Sequence, residues 1–487
     1  NMNALATISG SRIFFNCTQL STITLPALTT ILGANTFSLC TQLTSVIFPA
    51  LLTISGVNTF NNCTQLTSVT LNSLTTITGS NTFYGCSSLT SISLPALTTF
   101  TGTGTFQNCP QLSYASLGSI TSIPDNTFIN TGFTTINIGT SQLFPNTITS
   151  VGSNVFQGCL SLQSFLSSNV TILGDNVFRA CSQLSSCFLY NLSTLGSDTF
   201  AGCSSLSLDT IGLGNITTIP SNTFIFCTGL TGGLSIDALS LQSITSIGDN
   251  AFYGCTGITS VYAQYVTTLS TAAFYGCSQL SNVYIGNITS LPQSVFQGTA
   301  FTTFNTSHIT SGTITSIGTS AFKGCTSLVA FTAPAVTTFG SNVFSGANAL
   351  YALYIGTDTA PTVQADTFAN TPALNFVCYE STKSWPATIG IAPIKNTTPY
   401  ILLSTSVPNT TIQPGSIQIS VTVSNGTAAG VTPLITTRMW TKNGLPIMGT
   451  NTDTLTVAQS SSQGTYQLQL SNYFENQVSD TYSVQQF

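Results

Sequence analysis

Charge is what this chain most conspicuously lacks. Of 487 residues only 4% are charged, 7 basic and 12 acidic, and the net charge is −5. Ordinary soluble proteins carry about 25%. Nucleic-acid binding needs clustered Lys or Arg to displace counterions, and Arg12, Arg179 and Lys323 stand isolated; that function class is excluded. One histidine, His308, removes most His-dependent catalysis, and with no carboxylate near it in sequence it reads as a loop residue within Thr302–Thr313. The mean hydropathy is +0.36, yet no run of ~20 apolar residues exists to span a bilayer. No signal peptide is visible at Asn1-Met2-Asn3, so the expectation is a cleaved leader or a fragment.

What the chain has instead is a repeat. Phe-x-x-Cys occurs at Phe14, Phe37, Phe60, Phe83, Phe106, Phe156, Phe178, Phe200, Phe224, Phe252, Phe274 and Phe322. Phe128, Phe296, Phe344 and Phe368 keep the register with Thr131, Thr299, Ala347 and Thr371 in place of Cys, making 16 copies. The first four steps are 23 residues each, and most later ones are 22 to 24. A fixed period of this size is the signature of a solenoid, in which each unit buries its apolar side only by stacking on the next. Leu20-x-x-Ile23-x-Leu25 reads as a short strand that Pro26 ends, Leu28-x-x-Ile31 as a second extended segment, and Gly33 with Asn35 as the turn that leads into Phe37. That turn is expected to be 3₁₀ or a single helical turn.

The unit Gly-x-Asn-x-Phe-x-x-Cys-x-x-Leu-x-x-Ile-x-Leu-Pro, seen in Gly79–Pro95 and in part from Gly248 to Ile258, resembles the BspA-like leucine-rich repeat family over about residues 4–380. The resemblance implies a secreted or surface-exposed adhesive molecule. The chain departs from the family in being stripped of charge and filled with Ser, Thr and Asn.

After Trp385 the period is lost. The predicted organisation is a mainly β fold: a leucine-rich-repeat solenoid of about 16 repeats over 1–390, a linker over 391–398, and a second domain over 399–487. The second domain alternates apolar and polar residues at strand period, with a hairpin signal at Asn443-Gly444. Trp440 and the run Gly464-Thr-Tyr466-Gln-Leu468 resemble an immunoglobulin-like β-sandwich, with Trp440 as its strand C tryptophan and Tyr466 as its tyrosine corner. The cysteine pair of antibody domains is absent there, because the matching positions, Leu468 and Ile419 or Val421, are apolar.

Fourteen cysteines are present, twelve of them in the Phe-x-x-Cys column. Cys187 takes an inward strand position, and Cys378 stands one past Val377, at an outward one. Column neighbours in stacked repeats would have parallel Cβ vectors, so buried free thiols acting as small hydrophobes are expected rather than a disulfide ladder. No metal ligand set is visible. Asp125, Asp175, Asp198 and Asp249 occupy the turn position just before the Phe turn, and the recurrence predicts that they cap it.

Ten Asn-x-Ser/Thr sequons exist. Asn191, Asn215 and Asn287 follow an inward strand, and Asn409 and Asn425 lie at strand edges of the second domain, so these five are the expected glycosylation sites. Tyr262, Tyr265, Tyr284, Tyr351 and Tyr354 fall on nearby strands and form the candidate binding patch. An ice-binding array would need a uniform outward Thr column, and Thr22/Thr24, Ser45/Ile47, Ser68/Thr70, Ser91/Ser93 and Tyr114/Ser116 are too irregular for it.

The functional expectation is a non-enzymatic extracellular structural or adhesive glycoprotein, without cofactor, that assembles head to tail with itself into a fibre. The alternative is a monomeric adhesin or receptor whose partner is a cell-surface protein or carbohydrate, with an ice-binding solenoid as a minor one.

Overall fold

The computed structural model describes residues 2–374 except 139–143, 237, 238, 240–242, 307, 308, 310–312 and 358, and beyond 374 the backbone of the strands alone. It is a mainly β parallel solenoid of about 15 turns. By contacts the chain divides into two units, Asn1–Ile288 with Pro292–Thr299, and Thr289–Leu291 with Ala300–Phe487.

In the first unit most turns supply two short strands. Thr22–Thr24, Ser45–Ile47 and Ser68–Thr70 pair in parallel, with Ile23, Val46 and Val69 in one column. Thr7–Ile8, Thr30–Ile31, Thr53–Ile54, Thr76–Ile77 and Thr99–Phe100 form a second parallel sheet. These are the two extended segments expected on either side of Pro26. Later turns repeat the arrangement in further short parallel sheets; Thr135–Ile138, Ser164–Ser167 and Ser186–Leu189 align Ile136, Phe165 and Cys187, which places Cys187 in the core.

The column phenylalanines fill the interior. Their rings lie nearly parallel, from Phe14–Phe37 at 4.9 Å and 3° to Phe274–Phe296 at 6.0 Å and 13°. That spacing follows from the separation of hydrogen-bonded strands, and it suits offset stacking. The Phe segment is a turn, and neighbouring turns are themselves laced together: Phe37 N donates to Thr59 O at 2.8 Å and Phe60 N to Thr82 O at 2.7 Å. Asn35, Asn58 and Asn81 enter the turn with left-handed backbone, which Asn tolerates, and their amides form a ladder at 3.2 and 3.1 Å. Glycine is required where the turns approach most closely, because a Cβ on Gly56 would lie 2.1 Å from Gly33 O.

Most buried hydroxyls and thiols of the turn bond to backbone. Thr36, Thr59, Thr82 and Thr105 each donate to the carbonyl three residues before. The column thiols from Cys40 to Cys277 each donate to the Phe carbonyl of the preceding repeat, Cys40 to Phe14 at 3.0 Å, Cys63 to Phe37 at 3.2 Å and Cys86 to Phe60 at 3.3 Å. Where Thr replaces Cys, the hydroxyl turns to its own repeat: Thr131 donates to Phe128 O at 2.9 Å.

The predicted capping by aspartate takes a different form. Asp125, Asp175 and Asp249 each accept a backbone N–H from the next repeat, from Ser153, Ser197 and Thr271 at 2.7, 2.8 and 3.0 Å. Asp198 instead accepts from the Asn222 amide at 3.2 Å and lies 3.7 Å from Arg179. The acids tie turns together rather than cap their own.

In the second unit Thr303–Asn305, Ala330–Ala333, Ala352–Ile355 and Phe376–Cys378 continue in parallel. Ala392–Lys395, inside the stretch expected as a linker, pairs in parallel with Phe376–Cys378, and Thr388–Ile389 folds back on it antiparallel. Beyond 399 the strands pair antiparallel. Asn409–Gln413 pairs with Ser416–Ser420, which pairs with Thr454–Ala458. Thr437–Lys442 pairs with Gly464–Ser471, bringing Trp440 opposite Leu468, and with Leu445–Pro446; the hairpin signal at Asn443-Gly444 lies outside the described residues.

Candidate binding surface

No cluster of His, Cys, Asp or Glu that could hold a metal exists among the described residues. No described helix is long and apolar enough to cross a membrane. The only ion pair among the described residues is Arg179–Asp198. His308 lies outside the described residues.

The thiols are poorly suited to nucleophilic chemistry. Burial, followed by the neighbouring Cys40, pushes Cys63 up to about 12, and burial pushes Cys109 and Cys277 up to about 12 as well. A thiol that holds its proton is neither a nucleophile nor a metal ligand at neutral pH.

What the molecule offers is surface. The outward residues of each strand are half-buried or exposed hydroxyls in the early turns, broken by Ile47 and Tyr114, both exposed. The irregularity that disfavoured an ice-binding array is therefore present on the folded face. Further along, Ile258–Ala263 and Asn282–Ile285 pair in parallel with Tyr262 opposite Tyr284. The two rings stack at 5.4 Å and 17°, and the Tyr262 hydroxyl donates to Gln264 Oε1 at 2.8 Å. Tyr262 is 47% and Tyr265 48% exposed. These three tyrosines belong to the first unit; Tyr351, exposed, and Tyr354, half-buried, belong to the second. The expected patch of five is thus two sets, one in each unit.

Of the expected glycosylation sites, Asn191 and Asn287 are exposed and Asn215 is half-buried. The Asn191 side chain donates to Ser168 O at 2.6 Å. Asn409 and Asn425 lie on the strands Asn409–Gln413 and Val423–Asn425, and their side chains fall outside the described residues.

A second aromatic feature escaped the sequence reading. Phe226 meets Tyr253 edge-on at 5.4 Å, and Tyr253 stacks on Tyr275 at 4.5 Å and 3°. All three follow a column Phe by one or two residues, on the outer side of the turn. The signal was there: Phe226 stands where most repeats have Gly or Asn.

A family model described as "BspA type Leucine rich repeat region" matches in six copies over residues 7–135, 118–231, 232–328 and 300–385. No curated protein matches the chain significantly. Among solved structures, a leucine-rich repeat protein from Bacteroides ovatus is 22% identical, covering 78% of this chain and 87% of its own, with a TM-score of 0.45. A leucine rich cell surface protein from Faecalibacterium prausnitzii is 23% identical, covering 77% and 83%, with a TM-score of 0.33. The pneumococcal vaccine antigen PcpA is 15% identical, covering 78% and 87%, with a TM-score of 0.35.

Proposed function

The chain belongs to the BspA-type leucine-rich repeat family, and from that premise we propose that it is a non-enzymatic adhesion protein of the cell surface or extracellular space. The observation that carries the reading is the stacked pair Tyr262–Tyr284 with Tyr265 beside it, set on a strand face made largely of small polar side chains. Exposed aromatics on a rigid sheet anchor an interface because they add contact area at little entropic cost. Stacked strands hold them at fixed spacing, and the scarcity of charge leaves shape and hydrogen bonding to set specificity.

The antiparallel strands after 399 are read as an immunoglobulin-like module, on the support of the Trp440–Leu468 pairing between two of its strands. N-linked glycan at Asn191, Asn215 and Asn287, and at Asn409 and Asn425, would supply the solubility that charge does not. Head-to-tail self-association into a fibre is the companion reading, favoured by the same lack of repulsive charge.

Three measurements test the proposal. Antibody against the chain should label intact cells; labelling of permeabilised cells alone would contradict a surface location. Beads coated with the protein should adhere to intact cells, and the combined Tyr262→Ser, Tyr265→Ser, Tyr284→Ser variant should adhere at least several-fold less; equal adhesion would remove the strand face from the binding role. Negative-stain microscopy at high concentration decides assembly, with filaments supporting the fibre and dispersed particles refuting it.

A further inference from the structure

Every turn of the Phe column passes through a left-handed backbone position two residues after its phenylalanine. Thirteen of these sixteen positions are Gly or Asn, from Asn16 and Asn62 to Gly85 and Gly346. Those residues tolerate positive φ; a bulky side chain there is strained. Leu39, Ala180 and Phe226 are the exceptions, and Phe226, at φ 58°, is the largest. Burial does not compensate for the strain, because the Phe226 side chain is 54% exposed. Strain that packing does not explain points to a use.

The surroundings of Phe226 are built to hold its ring in the open. Tyr253 of the next turn meets it edge-on at 5.4 Å and 85°. Gly254 makes room for it, since a Cβ there would lie 2.6 Å from Phe226 Cδ1 and 2.8 Å from Cε1. Tyr275, one turn further, stacks on Tyr253 at 4.5 Å and 3°. Beyond that, the Gln297 amide donates to the Tyr275 hydroxyl at 3.4 Å. Loss of surrounding solvent, and then the adjacent Tyr275 phenol, raise the pKa of Tyr253 above its ordinary value, as expected for two phenols held side by side. Four successive turns thus contribute one apolar ring, two phenols and an amide to a single row.

The chemistry of that row limits its partner. Residues 222–228, 250–256 and 272–278 contain no Lys, Arg, Asp or Glu. An anionic ligand finds no cation there and a cationic one no carboxylate. The row offers aromatic surface bordered by hydroxyl and amide groups, an amphipathic combination that pairs with a ring carrying an apolar C–H face and neutral hydroxyl edges.

We propose that the Phe226–Tyr253–Tyr275 ladder is a binding platform for a neutral glycan, with a pyranose ring stacked on Phe226 and its hydroxyls bonded to the phenols and the Gln297 amide. The platform is separate from the Tyr262–Tyr284 pair and does not depend on it.

The test uses the full chain and saturation-transfer NMR with neutral hexasaccharides (cello-, laminari-, malto-, manno- and chitohexaose), with sialyllactose and choline as charged probes. At least one neutral hexasaccharide should receive saturation and bind at millimolar affinity or better. Phe226→Gly and Tyr253→Ala should each weaken it at least tenfold, while Tyr114→Ser, an exposed position on an early strand, leaves it unchanged. Phe226→Gly also relieves the left-handed strain, so its melting temperature should be equal to or above that of the parent; lost binding with retained stability separates a ligand-binding role from a packing role. The proposal is overturned if no neutral hexasaccharide binds, if only choline or sialyllactose does, or if binding survives Phe226→Gly and Tyr253→Ala.

Discussion

Replacing Phe83 with Ala removes one ring from the middle of the stacked column. Phe83 is fully buried, with Phe60 at 5.1 Å and 7° on one side and Phe106 at 5.5 Å and 3° on the other. A phenylalanine side chain buries roughly 150 Å² or more, so at about 25 cal/mol per Å² its removal forfeits on the order of 4 kcal/mol. The hole cannot close easily, because the turn that carries Phe83 is pinned at both faces. On one side Phe83 N donates to Thr105 O at 2.8 Å and Phe83 O accepts the Cys109 thiol at 3.2 Å; on the other, Thr82 O accepts Phe60 N at 2.7 Å. Collapse would break these bonds, which keeps the expected cost in the roughly 3–5 kcal/mol range of buried Phe→Ala changes. Stacked repeats share their interfaces, so the loss should spread. Hydrogen exchange read by mass spectrometry should show lost protection centred on residues 60–128 and decaying outward over neighbouring turns. The melting temperature should fall by several degrees, whereas Tyr114→Ser, on an exposed strand position, should leave it unchanged. An unaltered melt, or lost protection confined to the residues next to position 83, would refute the column register and the shared-interface reasoning.

Cys86→Ala should cost about 1–2 kcal/mol, because it removes the packed sulfur and its bond to the buried Phe60 carbonyl at 3.3 Å, leaving that oxygen with the Cys63 N–H alone; chemical denaturation measures it, and a neutral result would remove any stabilising role for the thiol bond. The same thiols give a pH dependence. Burial raises Cys63 and Cys109 to about 12 from an ordinary 9.0, so the folded state keeps protons that the unfolded chain releases, and stability is full below about pH 9 and is lost as pH rises toward 12; a melting temperature flat from pH 8 to 11 would contradict it. In the native state at pH 8 these thiols should resist alkylation, and in denaturant without reductant at least twelve should react; two or fewer would mean disulfides. Gly56→Ala should destabilise by at least as much as Phe83→Ala, since its Cβ would fall 2.1 Å from the Gly33 carbonyl oxygen, backbone that cannot step aside; a wild-type melt would refute that close approach. Native material should exceed the 50.9 kDa of the bare chain by one or more N-glycans, and a mass equal to it would eliminate the glycoprotein reading.

The repeat was legible because a period in sequence becomes a neighbour in space. Phe37 and Phe60, 23 residues apart, lie one strand step apart in the fold, so spacing alone located the core column, the inward Leu and Ile positions, the inward Cys187 and the two short strands on either side of Pro26. Tyr262 and Tyr284 fall on strands as expected, whereas Tyr265 lies in the turn after Ile258–Ala263 and Tyr351 just before Ala352–Ile355. Hydrogen-bond direction across the stack did not follow. Whether a Cys thiol reaches the Phe carbonyl of the previous repeat or, like the Thr131 hydroxyl, that of its own depends on Cβ direction and bond length. The aspartates were recognised as turn residues, but only the stacked geometry decided that Asp175 bonds to Ser197 of the next turn. The Phe226 ladder was hidden for the same reason. An aromatic in place of Gly or Asn is one letter in the sequence, and its meaning came from a left-handed backbone, a glycine beneath the ring and two tyrosines brought alongside from turns 27 and 49 residues away. The period determined which residues are neighbours; the three-dimensional stack decided which atoms of those neighbours meet, because that depends on side-chain direction and backbone handedness at each turn.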